Sequence, residues 1–369
     1  MNRPSSVYYT SLRCRVGDSL LDKLKRLATE AGIGTIDFER KFCAIKIHFG
    51  EPGNLAFLRP NYAAAVVSLV KELGGRPFLT DCNTLYVGGR KHALDHIESA
   101  YKNGFTPYTT GCHIIIADGL KGSDEVEVPV RGGLYVEQAK IGRALMDSDI
   151  IITLTHFKGH EATGFGGALK NLGMGGGSRA GKMEMHCDGK PVVDSLLCIG
   201  CGNCVDICAH DGPLITDGIS YIDHAKCVGC GRCLAVCPTD AIANPDDSSN
   251  DLLNCKISEY AWAIASAKPT FHISLVIDVS PDCDCHSEND SAIVSDIGFF
   301  ASFDSVALDK ACIDAVNRAP INRASKMGAL TTLDDTLTTS HPTTNWKVGL
   351  EHAQKLGLGT MEYQLIEVL

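Results

Sequence analysis

DIIITLTHF, residues 149–157, is an apolar run of strand length that ends on a histidine and a phenylalanine. Short apolar runs bounded by polar residues suit strands buried on both faces of a sheet. Three earlier runs share the pattern: FCAIKIHFG (42–50), RPFLTDCN (76–83) and HIIIADG (113–119). Between the first two, residues 62–73 carry apolar side chains at helical spacing and stop at Gly74 and Gly75. Strands alternating with helices predict a largely parallel α/β sheet, whose ligands gather beyond the carboxyl ends of its strands. Polar residues stand at those ends: Lys46 and His48, Asp81 and Cys82, then His156, Lys158 and His160.

Beyond that run lies a glycine-rich stretch, HFKGHEATGFGGALKNLGMGGGSRAGKMEMH (156–186). As a loop it brings backbone amides to a phosphate or carboxylate, with Lys158, Lys170, Arg179 and Lys182 supplying charge. Gly166, Gly167, Asn171 and Gly175 are the candidate cofactor-binding residues, and Lys46, His48, His160 and Lys170 the candidate catalytic ones. Residues 176–182 fit the start of a phosphate-loop pattern, but Met183 replaces the hydroxyl residue that would hold magnesium. The bland alternative is a set of tight turns in a connection. His156 and His160, four apart, are a second candidate metal pair, although Gly159 between them argues against a helix.

Seventeen cysteines in 369 residues is unusual, and eight of them form two runs. CIGCGNCVDIC (198–208) and CVGCGRCLAVCP (227–238) both have the spacing C-x2-C-x2-C-x3-C. Such spacing sets three thiolates around one face of an iron–sulfur cubane and sends the fourth to its neighbour. The expected ligands of one 4Fe-4S cluster are therefore Cys198, Cys201, Cys204 and Cys237. Those of the second are Cys227, Cys230, Cys233 and Cys208. Two zinc sites are the alternative, but zinc favours paired C-x2-C motifs across a longer loop. PLITDGISYID (213–223) reads as a hairpin between the runs, and the polar stretch NPDDSSND (244–251) closes the segment.

Downstream, residues 252–267 have helical periodicity and FHISLVID (271–278) is another strand, followed by VSPDCDCHSEND (279–290). Cys283 and Cys285, one residue apart with His286 adjacent, form a candidate third metal site or a redox site. DIGFFASFDSVALDKACIDAV (296–316) predicts a strand, a turn at Asp304 and Ser305, and a helix. The chain closes with a helix through His352 and Leu356 and the strand YQLIEVL (363–369).

The cysteine segment resembles two-cluster bacterial ferredoxins, down to Pro238 after the second run; Ala209 replaces that proline after the first. The whole chain resembles the domain-of-unknown-function 362 family through IKIHFGEPGN, DCNTLY, HFKGHEATGFGGALKNLGMG, PDCDC and DIGFFASFDSVALDKA. That resemblance implies iron–sulfur proteins and a distant likeness in fold to nickel-dependent lactate racemase, which has two α/β lobes. The expected fold is α/β: an N-terminal α/β lobe (1–186), an inserted α+β ferredoxin-like domain (187–245) and a C-terminal α/β lobe (246–369).

Composition bounds the function. With 44 acidic against 34 basic side chains the net charge is −10, which disfavours nucleic acid as a partner. No apolar run approaches the roughly 18 residues of a membrane span, and the N-terminus has no signal-peptide core, so a cytoplasmic protein without a membrane partner is expected. No dinucleotide fingerprint follows a strand. The reading is a redox protein passing single electrons through two 4Fe-4S clusters to an interlobe active or metal site. It would take electrons from a ferredoxin or reductase partner and act on a small-molecule substrate, with a further metal or nucleotide-like cofactor in the cleft. A non-catalytic electron carrier or adaptor, and a metal- or cofactor-handling protein, are the alternatives.

Overall fold

The computed structural model describes residues 4–85, 88–187, 190–208, 210–227, 229, 232–243, 250–330 and 335–369. Eight strands form one sheet. In chain order they are β1 (Ser5–Ser11), β2 (Phe42–Lys46), β3 (Arg76–Asp81), β4 (Ile114–Ile116), β5 (Ile150–His156), β6 (Thr270–Val276), β7 (Gly298–Ser302) and β8 (Tyr363–Glu367). Their spatial order is β8-β1-β7-β6-β5-β2-β3-β4. Only β7 runs against the others, antiparallel to both β6 and β1. The remaining neighbours are parallel.

This topology corrects the expected pair of lobes. β6, which follows the cysteine segment, pairs directly with β5, which precedes it, in the register Phe271↔Ile152 and Ile273↔Leu154. β5 is buried along its whole length, so its backbone groups need partners on both edges. β2 supplies one edge and β6 the other. Strands from both sides of the cysteine segment thus complete a single sheet. β1, announced by no apolar run in the sequence, is held between β7 and β8.

Two apolar layers cover the sheet, and the period-2 alternation of the strands sorts residues between them. Cys43, Ile45, Ile150, Ile152 and Leu154 face the layer of helices α1 (Leu20–Glu30), α2 (Pro60–Glu72) and α3 (Ala93–Lys102). Ala44, Ile151, Val276 and Phe300 face the opposite layer. There lie α4 (Ala168–Gly176), α6 (Asn250–Ala265), α7 (Ser305–Arg318) and α8 (Trp346–Lys355), with α5 (Arg179–Cys187) alongside.

The glycine-rich stretch, expected as a loop, folds instead into a small hairpin (Lys158–His160 with Gly164–Gly166) followed by α4 and α5. Its glycines serve close packing. A Cβ on Gly173 would collide with the carbonyl of Ile257 on α6, and one on Gly176 would meet the Ile264 side chain at 2.5 Å. Glycine lowers helix propensity by about 1 kcal/mol, a cost that the close α4–α6 contact offsets. Gly173→Ala must push the two helices apart. Its expected cost is about 2–3 kcal/mol, read as a lower urea midpoint with an unchanged m-value.

The start of α4 has a partner distant in sequence. Asp309 on α7 accepts hydrogen bonds from the amides of Ala168 (2.7 Å) and Leu169 (2.9 Å). Burial pushes its carboxyl up to about 7 against those two amides.

The cysteine segment carries the expected hairpin, Pro213–Thr216 with Ile219–Ile222. Val192–Val193 pairs with Ile242–Ala243, so the chain enters and leaves the segment side by side. Its apolar interior is small: Cys204, Ile222, Cys233, Leu234 and Ile242 pack with Leu85 and Met183 from the body. Among the described residues, no helix is long and apolar enough to cross a membrane.

Candidate functional site

The chain runs β2, β3, β4 outward in one direction, then returns to lay β5, β6 and β7 on the other side of β2. The reversal makes the β2/β5 boundary a topological switch point, where open parallel sheets form a crevice at their carboxyl ends. A cavity of about 130 Å³ lies there. It collects residues from the ends of four adjacent strands: Lys46 and His48 after β2, Asp81 and Cys82 after β3, His156 and Lys158 after β5, and Cys283 and Cys285 beyond β6. His160, Gly166, Gly167, Lys170, Asn171 and Gly175 line it too. All the catalytic and cofactor-binding candidates read from the sequence therefore share one pocket with the C-x-C pair.

Lys46, 1% exposed, lies 2.8 Å from Asp81 and donates to Asn171 Oδ1 at 2.9 Å. Burial lowers its pKa, with Asp81 opposing. Asn171 is fully engaged: its Nδ2 donates to Thr155 Oγ1 and to the carbonyls of Lys46 and Leu154. The space a Cβ would take on Gly175 is filled by Lys46, on Gly167 by Asp309, and on Gly166 by Lys158. With Asp309 capping α4, these residues pack the protein's own side chains where a phosphate cradle was expected.

His48 contacts Arg90 Nη1 through Nε2 at 2.9 Å, and Arg90 pairs with Glu51 at 2.7 Å. Burial, then the Arg90 charge, holds the His48 pKa well below its ordinary value. His156 faces acceptors with both ring nitrogens: Asp284 at 2.9 Å on Nδ1 and the Ile277 carbonyl at 2.9 Å on Nε2. It is turned away from His160, so the two do not form the metal pair the sequence suggests. Lys158 shares Asp284 at 3.1 Å.

His160, Cys283 and Cys285 bring one ligand-type atom each to within 4.8 Å of one another. Nδ1 of His160 accepts from the amides of Ala162 (3.0 Å) and Thr163 (3.2 Å). Its ring proton therefore sits on Nε2. Lys170 Nζ lies 3.9 Å from Cys283 Sγ. A hydrogen bond from Cys285 lowers the Cys283 pKa well below its usual value, with Lys170 and His160 overcoming burial; the Cys285 thiol is correspondingly raised. Lys46, Arg90, Lys158, Lys170 and Lys182 line the pocket; Lys46 is paired with Asp81, Arg90 with Glu51 and Lys158 with Asp284, while Lys170 and Lys182 stand with Glu161 on the lining.

A second, smaller cavity lies in the cysteine segment. Cys198, Cys201, Cys204 and Cys237 line it together with Gly200, Gly202 and Thr239. Gly200 (φ +65°) and Gly202 (φ +84°) take the left-handed turns between the first cysteines. Sulfur atoms accept amide hydrogen bonds: Cys198 from Ser220 at 3.3 Å, Cys208 from Gly212 at 3.4 Å and Cys227 from Gly229 at 3.5 Å. Cys233 packs beside Leu85, which also lines the large pocket. Cys230 lies outside the described residues.

Sequence reading missed Arg90, Glu51, Glu161 and His186. Arg90 follows two glycines in an irregular loop, with no local periodicity to mark it. Its partner Glu51 is 39 residues away and meets it only in the fold.

A family model described as a domain of unknown function (DUF362) matches residues 43–314. A thylakoid-associated protein of Synechocystis sp. is 29% identical over 127 residues, which is 33% of this chain and 34% of that protein. The chain thus spans about a third of the length of the curated relative it matches. Among solved structures, the lactate racemase apoprotein from Thermoanaerobacterium thermosaccharolyticum matches 85% of this chain and 58% of its own, at 13% identity and a TM-score of 0.43. A Thermotoga maritima protein matches 79% and 57% at 15% identity, with a TM-score of 0.37.

Proposed function

The chain belongs to the DUF362 family, and within that family we propose that it is a cytoplasmic iron–sulfur redox protein serving the pocket at the β2/β5 switch point. Residues 187–245 form an inserted ferredoxin-like domain in this reading. Cys198, Cys201, Cys204 and Cys237 hold one 4Fe-4S cluster, and Cys227, Cys230, Cys233 and Cys208 the other. The observation that carries the proposal is the shared cavity of Cys198, Cys201, Cys204 and Cys237, in which a cysteine of the second run joins three of the first. Zinc would also accept four thiolates, and the C-x2-C-x2-C-x3-C spacing of both runs is what favours the cubane.

The clusters, when bound, supply one-electron carriage. The chain's own residues do the rest. Amides of Ser220, Gly212 and Gly229 donate to the sulfurs, the interaction by which a protein tunes such centres. Lys91 donates to the Cys237 carbonyl at 3.4 Å and pairs with Asp240, fastening the segment beside the pocket. Leu196, Leu197 and Ile199, close in sequence to the exposed Cys201, are themselves exposed and offer apolar surface to a protein electron donor. Lys170 and Lys182 on the lining favour a small anionic substrate. A carrier or adaptor without substrate would have no use for that lining.

Iron and acid-labile sulfide measured on the full chain, purified without oxygen, test the proposal. About eight of each per chain are expected. Zinc without sulfide overturns it.

A further inference from the structure

We infer that Cys283 and Cys285 are a redox-active dithiol/disulfide pair that exchanges with small anionic disulfides inside the pocket. The inference goes beyond the iron–sulfur reading and stands without it.

Geometry supplies three arguments. The first is reach: the two sulfurs lie within 4.8 Å of each other, on cysteines separated by a single residue in the chain. Second is the set of donors around Cys283. Nε2–H of His160 faces it, because two amides already occupy Nδ1, and Lys170 lies 3.9 Å away. That tautomer stabilises a thiolate. It opposes metal ligation, since an Nε2 ligand would need its proton on Nδ1, where Ala162 and Thr163 already donate. Third is rigidity. Gly159 donates to the Ser280 carbonyl at 2.9 Å, His341 contacts the Pro281 carbonyl at 2.8 Å, and Glu51 donates to the Asp284 carbonyl at 3.0 Å. The loop is pinned from three parts of the fold, so the thiolate is presented in one place. Lys158 and Lys170 add the charge that attracts an anion.

The exchange balances as follows. The Cys283 thiolate attacks one sulfur of the disulfide RSSR, forming a mixed disulfide and expelling RS⁻. Cys285 then gives its proton to that RS⁻ and attacks Cys283 Sγ, releasing a second RS⁻ and closing the Cys283–Cys285 bond. The pair loses two electrons and one proton; the substrate becomes RSH and RS⁻.

The test equilibrates the full chain, anaerobically, in glutathione buffers from fully reduced to fully oxidised, and maps thiols by mass spectrometry of the peptide holding both cysteines. Wild-type protein is expected to lose two hydrogens from that peptide in one transition. Cys285→Ser is expected to stop at a glutathione adduct on Cys283, and Cys283→Ser to form neither product. Lys170→Ala is expected to slow Cys283 alkylation by iodoacetamide roughly tenfold. A peptide that stays dithiol even in oxidised glutathione overturns the inference. So does a bound metal whose removal is required before any oxidation. Iron counted in the same samples keeps this outcome separate from that of the iron–sulfur proposal, since neither readout depends on the other.

Discussion

Cys201→Ala combined with Cys237→Ala is expected to leave one cluster, whereas Cys201→Ala combined with Cys227→Ala is expected to leave none. In iron, that is about four per chain against close to zero. The difference follows from interleaved ligation. Cys201 and Cys237 border the same cavity, so the first pair of changes strikes one site twice. In the proposed assignment Cys227 belongs to the other set, so the second pair strikes both. Were each run to hold its own cluster, both double variants would lose all iron, and the interleaved ligand assignment would fall. Loss of metal should also loosen the segment more than the body. Among the described residues its interior packs few apolar side chains, so metal bound as proposed would contribute much of its folding energy. The eight-stranded sheet has its own two apolar layers, and far-UV circular dichroism is expected to change little.

Lys46→Met is expected to cost about 3–5 kcal/mol at neutral pH, the usual penalty for stranding one partner of a buried pair. Asp81, 3% exposed, would keep the Cys82 amide at 2.9 Å, with His96 at 3.7 Å and Arg90 at 3.8 Å. Burial pushes the Asp81 carboxyl up, but Lys46, His96, His48 and Arg90 together hold it well below the usual carboxylate range. A depressed native pKa gives stability that is complete above the unfolded value of about 4 and drains away as the pH falls below it. The gap between wild type and Lys46→Met should therefore narrow on acidification, because the variant has lost the interaction that acid would break. Urea midpoints at pH 7 and at about pH 3, below the unfolded carboxylate value, measure it. Equal midpoints at pH 7 would mean that Lys46 is not the partner on which Asp81 depends, and would return it to the catalytic role read from the sequence.

Much of the site was legible because its signals are local. β2, β3 and β5 are continuous apolar runs, and the residue types that follow them, Lys46, His48, Asp81, His156 and Lys158, need no distant information to be noticed. The two cysteine runs are legible for the same reason, since ligand spacing is written along the chain. So is the C-x-C pair after β6.

What the fold alone decides is which distant residue each of these meets. His156 and His160 look like partners at a spacing of four, yet the hairpin after β5 turns one to Asp284 and the other to Cys283. The glycines read as a flexible loop until α6 lies against them, because a glycine gives the same local signal in a turn and at a helix contact. Arg90 becomes a pocket residue only once Glu51 and His48 are brought to it. The amino-acid sequence by itself determined the strands, the ligand spacing and the chemistry of the side chains. Tertiary structure decided that strands on both sides of the cysteine segment share one sheet and that their ends face one pocket, because edge hydrogen bonds and burial are satisfied only by residues far apart in the chain.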